Sequence, residues 1–372
     1  MNKYKLLTPG PLTTTETVKE AMLTDHCTWD DDYKTITQNI RKRLLTLAGV
    51  SEETYTAVLL QGSGTYGVES VLTSSVGKGT VLLVTNGAYG KRMVQIAEYA
   101  GLDYIEYNVG FAEIPSADTV EEIIRTNDKI THIAMVHCET TSGILNDIAS
   151  IARTAKAHNK TFIVDAMSSF GGIEIPVEDL GIDFIISSAN KCIQGVPGFT
   201  FVIANRNALA KTKGNCRSLS LDLYAQFEEM EKDGKWRFTS PTHTVLAFSK
   251  ALDELDAEGG VAKRQERYTN NNRALIKNMH SLGFQTYVAD ENQSPIITSF
   301  LYPEYKNFDF KEMYEYIKEN GYAIYPGKVT DADTFRLGNI GEIYAEDIEN
   351  ITEIFRKFLE IKNIGGNKDE KN

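Results

Sequence analysis

The sequence predicts an α/β fold, with a large domain on a mostly parallel sheet followed by a smaller C-terminal α+β domain. Three observations carry that expectation. From about residue 55, short β-rich runs alternate with helical patterns. The β-rich runs are apolar throughout rather than alternating, as strands are when a parallel sheet is covered on both faces. After roughly residue 240 the texture changes to long helical stretches with a few strands between them. Strand–helix alternation at the first spacing means βαβ units and an open α/β domain.

In order, "YTAVLLQ" precedes the helical "YGVESVLTSSV", "TVLLVTN" precedes "KRMVQIAEYAG", and "DYIEYNV" precedes "SADTVEEIIRTN". "ITHIAMVHCE" precedes "DIASIARTAKAHN", and the strands "KTFIVDA" and "DFIISSA" come next. Beyond residue 240 one long helical stretch, "TVLAFSKALDELDAEGGVAKRQERYTNNNRALIKNMHSLG", leads to strands at "PIITSFLY" and "TFRLGNIG". "KEMYEYIKENG" is a helix between those strands, and "AEDIENITEIFRKFLEI" closes the domain. The expected organisation is an N-terminal arm over 1–15, the large domain over 16–250, the small domain over 251–362 and a disordered polar tail over 363–372.

A chain of 372 residues is too long for one small core. With 39 basic and 51 acidic residues the net charge is −12, which argues against a broad nucleic-acid surface or binding to an anionic membrane. An anionic substrate must therefore meet a local positive pocket. No apolar run approaches the ~20 residues that span a bilayer, and the first residues do not read as a signal peptide. Cys27, Cys138, Cys192 and Cys216 are scattered, as reduced thiols are in a cytoplasmic protein. His137-Cys138-Glu139 matches half of a zinc-deaminase signature, but no P-C-x-x-C follows, so no metal is expected.

Three elements carry chemistry. "LLQGSGTYGVES" places a Gly-rich turn between a strand and a helix. Gly62, Gly64 and Gly67 fit the dinucleotide pattern, but the end of the next strand reads Thr85-Asn86-Gly87 with no ribose-binding acid. What remains is a cup for one phosphate, built from helix N-terminal N–H groups and the hydroxyls of Ser63 and Thr65. "KTFIVDA" ends an apolar strand on Asp165, where α/β folds keep their ligands. "DFIISSANK" ends the next strand near Lys191, and a partly buried lysine becomes a nucleophilic amine able to form a Schiff base.

Together these elements describe a pyridoxal 5′-phosphate site, in which Lys191 joins the cofactor and Asp165 keeps its pyridine nitrogen protonated. Rival readings are weaker. Ser188-Ala189-Asn190-Lys191 matches a serine acyltransferase S-x-x-K, but residues 211–214 read Lys-Thr-Lys-Gly and no S-D-N occurs. A dinucleotide oxidoreductase would rest on the glycines alone. Cys192 beside the lysine could suggest desulfuration, which needs a cysteine on a mobile loop.

Long uninterrupted blocks add a resemblance. They include "LLTPGPLTTTETVKEAML", "VLLQGSGTYGVESVL", "NGAYGKRM", "HIAMVHCETTSGILN", "FIVDAMSSFGGI", "ISSANKCIQGVPGF", "GKWRFTSPTHTVLAF", "YPGKV" and "FRLGNIGE". Over nearly its whole length the chain resembles the fold-type-I pyridoxal-phosphate aminotransferases of the alanine–glyoxylate/serine–pyruvate branch. That resemblance implies Lys191 as Schiff-base lysine and proton carrier, with Asp165 on the pyridine nitrogen. It implies Ser63, Gly64, Thr65 and Ser188 on the phosphate, joined by Thr239 and Thr242 from the other subunit of a homodimer. Tyr89 would lie over the cofactor, Thr140 would touch its ring hydroxyl region, and Arg336 would bind the substrate's anionic group. The implied activity is transfer of the amino group of 2-aminoethylphosphonate to pyruvate in phosphonate degradation, with alanine–glyoxylate or serine–pyruvate exchange as the alternative. Asp30-Asp31-Asp32 reads as a solvated loop near the site entrance, and Trp29 and Trp236 as packing or interface residues.

Overall fold

The computed structural model describes residues 4–305, 308–329 and 331–362. The expected tail over 363–372 lies outside the described residues. A seven-stranded sheet forms the centre. Its spatial order is Tyr55–Gln61, Phe199–Asn205, Phe184–Ser188, Thr161–Asp165, Ile130–Val136, Thr80–Thr85 and Asp103–Asn108. The pairs from Phe184–Ser188 outward to Asp103–Asn108 are parallel, whereas Phe199–Asn205 runs antiparallel to both its neighbours. This last strand, "FTFVIAN", is absent from the sequence reading. It follows a Gly/Pro loop directly, so no helix separates it from the preceding strand.

Phe184, Ile185 and Ile186 are fully buried, as are Phe162, Ile163 and Val164 of the neighbouring strand. Each such side chain contributes about 1.5–3 kcal/mol of burial. This packing fixes where the strands end, and parallel strands end at a common edge. Asp165, Ser188 and the Asn190–Lys191 step therefore share the carboxyl edge of the sheet, where ligands bind in open α/β folds.

Two large hydrophobic cores, with a small cluster around Cys192 and Tyr268, organise the described residues. The larger runs from Val18 to Leu255, and the smaller joins Leu7 to residues between Leu275 and Leu359. The helix Thr242–Glu258 buries Ala251, Leu252 and Leu255 in the larger core. The long helical stretch expected beyond residue 240 forms two helices, Thr242–Glu258 and Gly260–Ser281. They break at Gly259 and Gly260, whose φ values of +105° and +79° lie in the left-handed region that glycine enters without cost.

The second of these helices bridges the cores. The fully buried Arg264 donates to the carbonyls of Cys192 (2.8 Å) and Ile193 (3.2 Å), and Tyr268 Oη donates to Gln194 Oε1 (3.0 Å). It thereby fixes the segment that follows Lys191. The smaller core packs on an antiparallel sheet of Ile297–Leu301, Thr334–Gly338 and Tyr325–Pro326. Near the amino terminus, Lys5–Leu6 pairs with Tyr322–Ala323 of this smaller unit before the chain crosses to the central sheet.

The acidic run differs from its expectation. Asp31 and Asp32 open the helix Asp31–Leu47, with Asp30 at the N-cap position, so the run is a helix start rather than a loop. Carboxylates there complement the positive end of the helix dipole. Trp236 is buried against Phe199, while Trp29 is exposed. Among the described residues no helix is long and apolar enough to cross a membrane.

Candidate active site

A cavity of about 260 Å³ opens at the carboxyl edge of the sheet. Ser63, Gly64, Thr65, Tyr89, Asp165, Ser188 and Lys191 all line it, with Arg92, Val136, Cys138 and Met167 among the other walls. Thr239 and Thr242 do not line it; Thr239 is exposed and Thr242 begins the helix Thr242–Glu258.

One end of the cavity is a polar cup. Ser63 occupies the N-cap position of the helix Gly64–Ser75, but its hydroxyl makes no capping hydrogen bond. A serine there usually accepts from the first-turn N–H groups. Here both the hydroxyl and the positive helix end stay available to an anion. Ser188 Oγ and Thr140 Oγ1 are buried with no hydrogen-bond partner. Leaving a buried hydroxyl unsatisfied costs about 1–3 kcal/mol, so Ser188 Oγ, which lines the cavity, marks a group that awaits a ligand, whereas Thr140 is not among the lining residues. Arg92, which the sequence reading did not single out, reaches Thr65 Oγ1 with Nη1 at 3.4 Å and adds positive charge.

Asp165 and Lys191 line the same cavity. Asp165 is buried, and its Oδ1 accepts the Met167 N–H at 2.9 Å. Burial raises its pKa to about 6, with the Glu139 charge adding to the rise and the Met167 N–H and the Lys191 charge opposing it. Lys191 donates from Nζ to the carbonyls of Pro9 (3.0 Å) and Gly10 (3.3 Å). Burial lowers its pKa, so more of the amine is neutral than in an exposed lysine. The "TPGP" segment thus lies directly against the lysine, a contact no local pattern announces. Gly10 has φ +114°, and a Cβ there would fall 2.6 Å from Lys191 Cδ.

Arg336 is 3% exposed and sits on the smaller unit's central strand. Its Nε donates to Pro326 O (3.0 Å) and its Nη1 to Thr140 O (2.8 Å). Both fastenings are neutral carbonyls, and among the described residues no carboxylate pairs with it. A buried guanidinium held this way keeps its remaining N–H groups and its whole charge for an anion.

Glu139, also missed from sequence, ties the walls together. Its carboxylate accepts the N–H groups of Tyr89 (3.0 Å), Gly90 (3.1 Å) and Thr141 (3.1 Å). Burial pushes its pKa up, and these donors oppose the rise. It pins the start of the helix Ala88–Ala100, which carries Tyr89, to the hairpin that carries Thr140. The Arg92 guanidinium lies 5.0 Å and the Lys328 ammonium 5.1 Å from the Tyr89 ring centre. Burial alone would raise the Tyr89 phenol, but the charges of Lys191 and Lys328 bring it below its ordinary value.

These groups fit pyridoxal phosphate. The cup suits a phosphate, Asp165 suits a cationic ring nitrogen, and Lys191 suits an aldehyde carbon. Residues 26–335 match the class-V aminotransferase family. The chain belongs to that family, and its cofactor is pyridoxal 5′-phosphate. The chain is 57% identical over 364 residues to a 2-aminoethylphosphonate–pyruvate transaminase of Lysinibacillus sphaericus, covering 98% of this chain and 99% of the relative. It is likewise 57% identical over 360 residues to a protein of the same name from Bacteroides fragilis, covering 96% and 99%. Among solved structures, pyridoxamine–pyruvate aminotransferase of Mesorhizobium loti superposes with a TM-score of 0.89 at 22% identity, covering 98% of this chain and 93% of that one.

Proposed function

We propose that this enzyme transfers the amino group of 2-aminoethylphosphonate to pyruvate, giving phosphonoacetaldehyde and L-alanine, as a cytoplasmic step in phosphonate degradation. The observation that carries the reading is the buried Arg336, which pairs with no carboxylate among the described residues and donates to Thr140 O next to the Glu139 that anchors the Tyr89 wall of the Lys191–Asp165 cavity. The names and identity of the two full-length relatives support the same substrates.

Ser63, Gly64, Thr65 and Ser188 would hold the cofactor's phosphate, Asp165 its ring nitrogen, and Tyr89 and Thr140 its ring. Bound there, pyridoxal phosphate supplies an electron sink for the carbanion left when the substrate carbon loses its proton. The chain's own residues do the rest. Arg336 anchors the phosphonate of the donor or the carboxylate of the acceptor, so one cation serves both half-reactions. Lys191 Nζ, less basic than an exposed amine, takes the proton from the amine-bearing carbon and returns it one step later. The Pro9 and Gly10 carbonyls orient that amine. Val136, Cys138 and Met167 keep the walls apolar and limit water.

Apart from Ala251, Leu252 and Leu255, which pack in the larger core, the two cores support a division into a cofactor domain over 16–250 and a small C-terminal domain over 251–362. A homodimer completes the reading. Thr239 and Thr242 lie away from their own cavity, beside the exposed Phe238, and would reach the phosphate of the partner's cofactor. Incubation of the purified protein with pyridoxal phosphate, 2-aminoethylphosphonate and pyruvate is expected to yield alanine and phosphonoacetaldehyde in equal amounts. Failure to form alanine from this donor, while another amine is turned over briskly, would defeat the substrate assignment.

A further inference from the structure

We infer that Lys328 sets the preference for a phosphonate over a carboxylate by adding a second positive charge beside Arg336. The inference rests on the function proposed above and addresses what Arg336 alone leaves undecided, since a guanidinium accepts either anion. A phosphoryl group with its second ionisation near pH 6 carries between one and two negative charges at neutral pH, whereas a carboxylate carries one. In a chain of net charge −12, the additional charge must be met locally.

A second cation stands on the segment that fastens Arg336. Lys328 lies two residues beyond Pro326, whose carbonyl holds Arg336 Nε at 3.0 Å. The intervening Gly327 N–H donates to Thr334 O at 2.8 Å, extending the pairing of that segment with the strand that carries Arg336. Lys328 is therefore fastened to the same structural unit as the anion anchor. Its exposed ammonium stands 5.1 Å from the ring centre of Tyr89, a residue that lines the cavity.

The other charges nearby have different attachments. Arg92 stacks on the same ring but reaches Thr65 in the phosphate cup. Lys191 is directed at the Pro9 and Gly10 carbonyls. Glu139 is occupied by backbone N–H groups. An ammonium on a flexible four-carbon stem can turn from a ring face to an incoming phosphonate oxygen, and the strongly charged oxygen is the better partner.

The test compares two unreactive probes of matched shape, ethylphosphonate and propanoate, titrated into the pyridoxal-phosphate form of the wild type, Lys328→Met and Lys328→Arg. Lys328→Met is expected to weaken ethylphosphonate about tenfold, or about 1.4 kcal/mol, and propanoate less than twofold. The KM for 2-aminoethylphosphonate should rise by a similar factor with kcat little changed, and Lys328→Arg should restore most of the loss. Equal weakening of both probes would make Lys328 merely structural, and no change in either would remove it from the site. Both results overturn the inference. If the wild type does not turn over 2-aminoethylphosphonate at all, the proposed function fails, yet the probe pair still reports on Lys328 by itself.

Discussion

The two ends of the proposed site are built differently. At the cofactor end, Asp165, Ser188 and Lys191 follow from fully buried strands of one parallel sheet, and Ser63 occupies the N-cap position of a helix packed on that sheet without capping it. At the substrate end, Arg336 belongs to a separate antiparallel sheet on a separate core, and it touches the first unit through the carbonyl of Thr140. The bond-making chemistry thus rests on a rigid frame, whereas recognition rests on a junction between two packed bodies. Substitutions at the first end should abolish turnover, and substitutions at the second should shift affinity and selectivity.

The largest effect is expected at Lys191. Lys191→Ala removes both the proposed covalent partner of the cofactor and the proposed proton carrier, and positioned proton transfer alone contributes about 10²- to 10⁴-fold. Single-turnover kinetics with 2-aminoethylphosphonate should show a loss of at least that size, and a variant within tenfold of wild type would contradict the comparison. Next comes Arg336→Met. Losing one partner of a buried charge-assisted pair costs about 2 kcal/mol or more, so KM should rise at least about 30-fold for donor and acceptor alike. A change confined to kcat would place Arg336 at the wrong end.

Asp165 gives a pH signature with two opposite signs. Its folded-state pKa of about 6 exceeds the ordinary 3.8, so the folded apoprotein keeps a proton that the unfolded chain releases. The relative stabilisation is present below the ordinary carboxyl range and is lost as pH rises through about 6. Asp165→Asn apoprotein should therefore melt higher than wild type at pH 8, and the gain should vanish near pH 4. Cofactor affinity should move the other way, with wild type binding pyridoxal phosphate less tightly below pH 6 and the Asn variant binding weakly throughout. Calorimetric melting and fluorescence titration across that range check both signs.

The smallest effect is expected at the bridge between the ends. Glu139→Gln keeps the shape but gives up charge assistance to the Tyr89 and Gly90 N–H groups, a difference of about 1 kcal/mol. A fewfold rise in KM with folding intact would fit a positioning role, whereas complete inactivity would make Glu139 part of the chemistry.

The same division explains what the sequence revealed. Asp165 and Lys191 are charged residues at the ends of apolar runs, and Ser63 sits in a glycine turn between strand and helix, so each breaks a local pattern. Arg336 sits within a buried strand, but only the resemblance distinguishes it from an ordinary ion-pair arginine, because its lack of a carboxylate partner is a tertiary fact. Pro9, Gly10, Arg92, Glu139 and Lys328 carry no periodic signal. They matter through contacts between segments distant along the chain, such as the 182 positions separating Pro9 from Lys191. The break at Gly259–Gly260 was written in the sequence as a glycine pair, yet helical periodicity on both sides masked it.

The central claim is that the Lys191 amine joins the aldehyde of pyridoxal phosphate beside Asp165. Borohydride reduction of the purified holoenzyme, followed by mass mapping of its proteolytic peptides, tests this most directly. The expected result is a single pyridoxyl-phosphate adduct on Lys191 in the peptide containing "SSANKCIQG". A stoichiometric adduct on any other lysine, with Lys191 unmodified, would contradict the account.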